Sequence, residues 1–151
     1  MPERTDTRPP LFFWLVSLAL LLWGLGGASI YVAYFVETPQ QFAQTAEASE
    51  HRQAYAAYVA SIPAWAIAVG IIAAVTRLLG AIALLLRRRW ALPLYVGSLA
   101  FFLVALYRAF VLAGAGRIMG GTHIAIELVF VTLGAFGVWF AHANRSKGIL
   151  K

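Results

Sequence analysis

The chain has 151 residues, of which 62% are hydrophobic and 12% charged; its net charge is +6 and its mean hydropathy +0.78. Soluble domains carry about 25% charged residues, so a water-exposed globular fold is excluded and an integral membrane protein is expected. There is no cysteine, which removes disulfides, thiolate metal sites and thiol chemistry.

Four apolar stretches, at 11–36, 63–86, 91–115 and 122–142, are each near the roughly 20 residues a bilayer core demands. They predict an all-α fold: one four-transmembrane-helix bundle occupying residues 1–151, without room for a second domain. The first, "LFFWLVSLALLLWGLGGASIYVAYFV", is longer than a signal-peptide core and has no small-residue cleavage motif after it, so a retained helix is expected. Trp23 falls near mid-membrane. Gly24 and Ala28, four apart, suit close helix packing or, alternatively, a glycine-rich break at a ligand pocket.

The following loop, "ETPQQFAQTAEASEHRQAYAAYVASIP", has capping-box residues Thr38, Pro39 and Gln41, then Tyr55, Tyr58, Val59 and Ile62 at helical spacing. A partly helical outer loop is expected, either as a surface cap or as an upward extension of the second span through a kink at Pro63.

In the second span, "AAVTRLLGA" places Arg77 ten residues before Arg87, which at helical rise is roughly 15 Å and close to the bilayer centre. A central arginine costs about 2.5 to 3.5 kcal/mol on insertion scales, so it needs a partner or water. At about 100° per residue, its face carries Pro63, Ala66, Gly70, Ala73, Ala74, Gly80, Ala81, Leu84 and Arg88. The opposite face, with Ile71, Ile72, Val75, Leu79, Ile82 and Leu86, suits lipid. Arg77 is therefore expected to point into the bundle. Trp23 by cation–π contact, Glu127, or carbonyls beside Gly24, Gly26 and Gly27 are its candidate partners.

"RRRW" at 87–90 reads as a topology signal and an anionic-lipid contact. With Arg4, Arg8, Arg145, Lys147 and Lys151, residues Arg87, Arg88 and Arg89 give one side of the membrane most of the basic charge; the other side has Arg52 and Arg117. The positive-inside rule then makes both termini cytoplasmic. Trp14, Trp90 and Trp139 near one interface and Trp65 near the other match an aromatic belt. Nucleic-acid binding is not expected from basic residues in these positions.

Arg108 near the outer end of the third span and Glu127 about one turn into the fourth form an easy pair, and "AGAGRIMGG" between those spans reads as a quick turn. His123 and His142 stand at opposite ends of one helix, and His51 lacks ligand-type neighbours, so no metal, haem or other cofactor is expected. Nucleophile-elbow, zinc-protease and phosphate-loop motifs are missing from the chain, and an enzyme is not expected. Small multidrug-resistance exporters place their glutamate in the first span, where this chain has no charge.

Taken together, "FWLVSLALLLWGLGG", "IPAWAIAV", "LLGAIALLLRRRWALPLYVGSLA", "RIMGG" and "VWFAHANRSKGIL" resemble a family of small four-span bacterial inner-membrane proteins of unsettled function, whose members are often described as sugar transporters or hypothetical membrane proteins. The resemblance implies a bacterial inner (cytoplasmic) membrane. This chain departs from the family pattern at Gly24 and Ile30, where asparagine and a polar residue are usual, and at Arg77, where a small or apolar residue is usual. The leading expectation is a non-enzymatic membrane protein that acts through other transmembrane helices, as an accessory or assembly partner of a complex or as a homo-oligomer. The alternative is a small-solute or proton-coupled, sugar-transporter-like protein that uses Arg77, Arg108 and Glu127. A wet, charged cavity reaching Arg77 favours the second; a dry pocket sealed by Trp23 favours the first.

Overall fold

The computed structural model describes residues 9–36 and 57–151, which form four long α-helices without strands. They are α1 (Leu11–Val36), α2 (Ala64–Leu85), α3 (Ala91–Tyr107) and α4 (Ala115–Ser146). Four stretches, Leu11–Ser29, Ala64–Leu85, Ala91–Leu112 and Ile124–Ser146, are long and apolar enough to cross a membrane. By length and composition this is a multi-pass membrane protein. The capping box at Thr38–Gln41, His51 and Tyr55 lie outside the described residues.

The first of three boundaries decides between alternatives of the sequence reading, and the other two differ from it. First, the helical residues 57–60 end before Pro63, with Ser61 N–H bonded to the Ala57 carbonyl at 3.1 Å and Ile62 N–H to that of Val59 at 3.1 Å. Helix α2 starts afresh after Pro63, whose φ of −70° and ψ of 149° are extended, so the two are not one kinked helix. The proline ring disfavours helical geometry in the residue before it, which enforces the break. Second, α3 ends at Tyr107 and continues as a π-helical turn, Arg108–Leu112, closed by Ala113 N–H to the Arg108 carbonyl at 3.0 Å. Third, "AGAGRIMGG" is not a loop: Gly114, at φ 62°, makes the reversal alone, and α4 begins at Ala115 rather than at 122. Glycine is common in membrane helices, where no water competes for the backbone hydrogen bonds, so the later glycines do not stop it.

Consecutive helices pack side by side, most closely α2 with α3 and α2 with α1. Helices α1 and α4 meet through large aromatic side chains: Phe13 stacks on Phe140 at 5.8 Å and Trp23 on Phe130 at 5.8 Å. The half of the bundle nearer the α2–α3 turn is filled by a core that includes Phe13, Leu20, Leu84, Tyr95, Phe140 and Leu150. Tyr95 is its wedge. A Cβ on Gly80 would lie 3.1 Å from the Tyr95 ring, and one on Gly137 only 2.7 Å, so glycines on α2 and α4 make the slot that this side chain occupies.

Two helix ends close that half with the same backbone motif. At the end of α4, Gly148 (φ 71°) donates to the Arg145 carbonyl at 3.1 Å and Ile149 N–H to that of Asn144 at 3.0 Å. At the end of α2, Arg87 (φ 56°) donates to Leu84 at 2.9 Å and Arg88 to Ala83 at 2.7 Å. Both are Schellman caps, for which glycine is the usual left-handed residue. An arginine in that conformation costs roughly 1 kcal/mol or more. Its compensation is a strap: Arg87 Nε donates to the Ile149 carbonyl at 3.1 Å, Lys151 N–H to the Arg87 carbonyl at 2.6 Å, and Arg89 N–H to the Lys151 carbonyl at 3.1 Å. Ile149 and Leu150 are thereby buried. The basic run thus divides: Arg88 and Arg89 are exposed, as lipid-headgroup contacts need, whereas Arg87 is turned into the strap.

Gly137→Ala is expected to lower stability by about 1–3 kcal/mol, read as a lower midpoint in reversible detergent unfolding, because the Tyr95 ring has nowhere to move. Tyr95→Leu in the same chain should restore part of that loss; an unchanged midpoint for Gly137→Ala would show the wedge to be loose.

Candidate intramembrane binding site

Arg77 lies on α2 eight residues before Leu85, about 12 Å along the axis, where the filled core gives way to open space. It is 5% exposed. The buried residues of α2 are Ala66, Gly70, Ala73, Ala74, Arg77, Gly80, Ala81, Ala83 and Leu84, while Ile72, Val75, Leu79, Ile82 and Leu86 are exposed. This is the small face expected from helical spacing, joined by Ala83 but without Pro63 and Arg88, which lie beyond the helix ends, and Ile71 of the expected lipid face is half-buried.

The guanidinium carbon sits 4.3 Å from the Trp23 ring centre, 5.2 Å from that of Phe102 and 5.9 Å from that of Phe130. The three rings form one continuous arc, with Phe102 to Phe130 at 6.2 Å and Trp23 to Phe130 at 5.8 Å. A desolvated cation–π contact contributes about 2 kcal/mol. More than one ring therefore matches the order of the 2.5–3.5 kcal/mol estimated for inserting a central arginine. The rings thus meet part of the cost of holding the charge there.

Glycines on α1 make the approach possible. A Cβ on Gly24 would touch Leu78 Cα at 3.6 Å, so α1 and α2 lie close there, as the Gly24 and Ala28 spacing suggested. A Cβ on Gly27 would come within 3.3 Å of Arg77 Nη1, so the missing side chain is room for the guanidinium. On the other flank, Ser98 of α3 donates to the Ala73 carbonyl at 2.8 Å, a buried bond that fixes α3 against α2 beside the arginine.

Beyond Arg77, toward the ends of α1 and α3, lies a cavity of about 110 Å³. Gly27, Gly70, Ala73, Ala74, Arg77, Phe102, Glu127 and Phe130 line it. Among the described residues, the core thus fills one half of the bundle and the cavity lies in the other. Arg77 and Glu127, one of the partners the sequence offered for it, share this wall; Trp23 forms the backing of the guanidinium.

Arg108 is placed elsewhere. Its Nη2 donates to the Ser61 carbonyl at 3.2 Å and its guanidinium carbon stands 5.6 Å from the Tyr58 ring, so it ties the π-helical turn to the segment before α2. His142 is exposed on α4 beside Arg145 and Ser146, at the opposite end from the cavity. Sequence reasoning missed Phe102, Phe130, Tyr95, Ser98 and Gly137. The glycine pair in "TLGAFGVW" was the available signal for α4, since a Cβ on Gly134 would also press on Leu99 at 3.1 Å.

No protein-family model, curated protein or solved structure matches this chain.

In a double-mutant cycle of Arg77→Met and Trp23→Leu, the two side chains are expected to couple by about 1–2 kcal/mol, measured as unfolding free energies in mixed micelles. Additive effects would show that the stacked geometry contributes nothing to stability.

Proposed function

We propose that the protein is a non-enzymatic small-solute carrier of a bacterial inner membrane, with both termini and Arg87–Arg89 on the cytoplasmic side. The observation that supports it most is the cavity of about 110 Å³ with Arg77 and Glu127 in its wall. A charge kept in the membrane interior marks a solute or ion path more often than it marks packing alone, and here two opposite charges border the same space. The filled core on the basic side and the hollow on the other correspond to a carrier opened toward the outside. The distribution of lysine and arginine supplies the orientation, and the resemblance to four-span bacterial inner-membrane proteins supplies the membrane.

A second reading has its own support. The Arg77 guanidinium lies 4.3 Å from the Trp23 ring, so the chain meets part of its charge's needs internally. In that reading the bundle is an accessory or assembly partner in a membrane complex, or a homo-oligomer, and the arginine is architecture.

The two separate in proteoliposomes tested for uptake of sugars, polyols, small carboxylates and amino acids. On the carrier reading at least one class enters at a rate that Glu127→Gln lowers at least tenfold while the detergent-unfolding midpoint stays within a few degrees of the parent. Gly27→Leu, which pushes a side chain against Arg77, gives a similar loss. No uptake of any class by the folded parent overturns the carrier reading and leaves the assembly role.

A further inference from the structure

The basic end of the bundle holds a recess of its own. It is open, about 310 Å³ in volume, and lined by His142, Arg145 and Ser146, which close the membrane-spanning stretch of α4. Three and four residues apart, they share one side of the helix, and all three are exposed. Ser146 Oγ is already engaged, donating to the Ala143 carbonyl at 2.9 Å. Among the described residues, no hydrogen bond or ion pair engages the side chain of His142 or Arg145.

Charge selects an anion. Arg145 brings a fixed positive charge and His142 a ring N–H, while stretches 9–36, 57–126 and 128–151 contain no aspartate or glutamate, so no described acidic side chain stands at this end to offset them. The helix end works against an anion with about half an elementary charge, but the Arg145 and Asn144 carbonyls are already taken by the Schellman cap at Gly148. Arg145 alone outweighs that, and Arg88, Arg89 and Lys147, exposed at the same end of the bundle, add to it.

The surroundings select a lipid. Trp139, 61% exposed, stands three residues, about 4.5 Å, deeper than His142 on the same side of the helix, with Phe136 tilted against it at 5.6 Å. Below it the exposed stripe continues through Thr132, whose hydroxyl is satisfied by the Leu128 carbonyl at 2.8 Å, to Leu128 itself. One face of α4 thus passes from guanidinium and imidazole through indole to hydrocarbon. A glycerophospholipid has the matching order of phosphate, ester and acyl chain, and tryptophan is favoured at headgroup depth. A free phosphate makes no use of the aromatic and aliphatic part.

We propose that this face binds one anionic glycerophospholipid of the phosphatidylglycerol kind. Its phosphodiester sits in the recess against Arg145 and His142, and an acyl chain runs along Trp139, Thr132 and Leu128. Arginine's planar fork suits two phosphate oxygens at once. A zwitterionic headgroup brings its own cation into this basic surround and is repelled, whereas a net negative one is not. The site is separate from Arg88 and Arg89, which meet the headgroup layer from the α2–α3 turn, and it stands whether the bundle is a carrier or an assembly partner.

The test uses the full chain in neutral detergent micelles and equilibrium binding of radiolabelled phosphatidylglycerol and phosphatidylcholine with identical acyl chains. Phosphatidylglycerol is expected to bind saturably and at least tenfold tighter than phosphatidylcholine. Arg145→Gln is expected to weaken it at least fivefold and Trp139→Ala at least threefold, with the helical signal unchanged because both side chains are exposed. Lys147→Gln removes the same charge from the same helix end but not from the recess, and a loss of less than twofold is expected. Equal losses for Arg145→Gln and Lys147→Gln overturn the proposal, since the attraction is then a diffuse effect of the basic end. Equal binding of the two lipids overturns it as well. Full displacement of phosphatidylglycerol by millimolar inorganic phosphate makes the recess a site for a free anion and overturns the lipid.

Discussion

A guanidinium held in the middle of an apolar bundle is the constraint to which the rest of this protein answers. At 5% exposure and about 12 Å from the end of its helix, Arg77 cannot reach a water interface along its own side chain. The surrounding sequence responds in three ways. Trp23, Phe102 and Phe130 surround the charge with ring faces. Gly27 removes a side chain from its path. Gly70, Ala73 and Ala74 keep the next turns of the same helix face small, and that smallness becomes the cavity. The hollow is therefore a consequence of accommodating the arginine as much as a site in its own right. A close-packed half with leucine at those positions would have left the guanidinium no volume and no counter-charge.

The filled half is the necessary complement. With one half hollow, the stability of the bundle rests on the other, where Tyr95 fits the slot between Gly80 and Gly137 and the segment from Gly148 onward folds back over the helix ends. In a membrane the hydrophobic effect does not drive helices together, so close van der Waals contact must do so. The glycine slots serve that purpose. The left-handed Arg87 shows how far the closure is enforced: a conformation normally left to glycine is tolerated because its amide, carbonyl and side chain each take part in the cap or strap.

How much of this was legible in the sequence depends on the helix. On α2 a polar residue and many small ones alternate with bulky aliphatics, so the helical period gave the buried face and the inward direction of Arg77, while depth offered Trp23 as one partner among several. Helices α3 and α4 are apolar all round, and no period distinguishes Phe102 and Phe130, which face the arginine, from Phe101 and Phe136, which are exposed. Their role follows from how α3 and α4 rotate about α2, which only packing decides. Glycine-rich "AGAGRIMGG" was misleading for a related reason: rules for turns come from water, where an exposed helical backbone competes with solvent, and in a membrane glycine stays helical. "RRR" was read as a unit by its charge, yet one backbone torsion separates Arg87 from its neighbours.

These considerations also bear on the choice between architecture and transport. A purely structural arginine would be best served by complete enclosure, since every unfilled volume next to it forfeits dispersion contacts and leaves the charge less well screened. Ring faces cover the guanidinium on the Trp23 side, and larger side chains at Gly70, Ala73 or Ala74 could have filled the space beside it. Instead the space continues to Glu127, the one acid in the membrane-spanning stretches, on a different helix. Two opposite charges on separate helices thus border the same volume. In the other half the same small face of α2 is closed by the Tyr95 ring, so small residues on that face do not by themselves require a cavity.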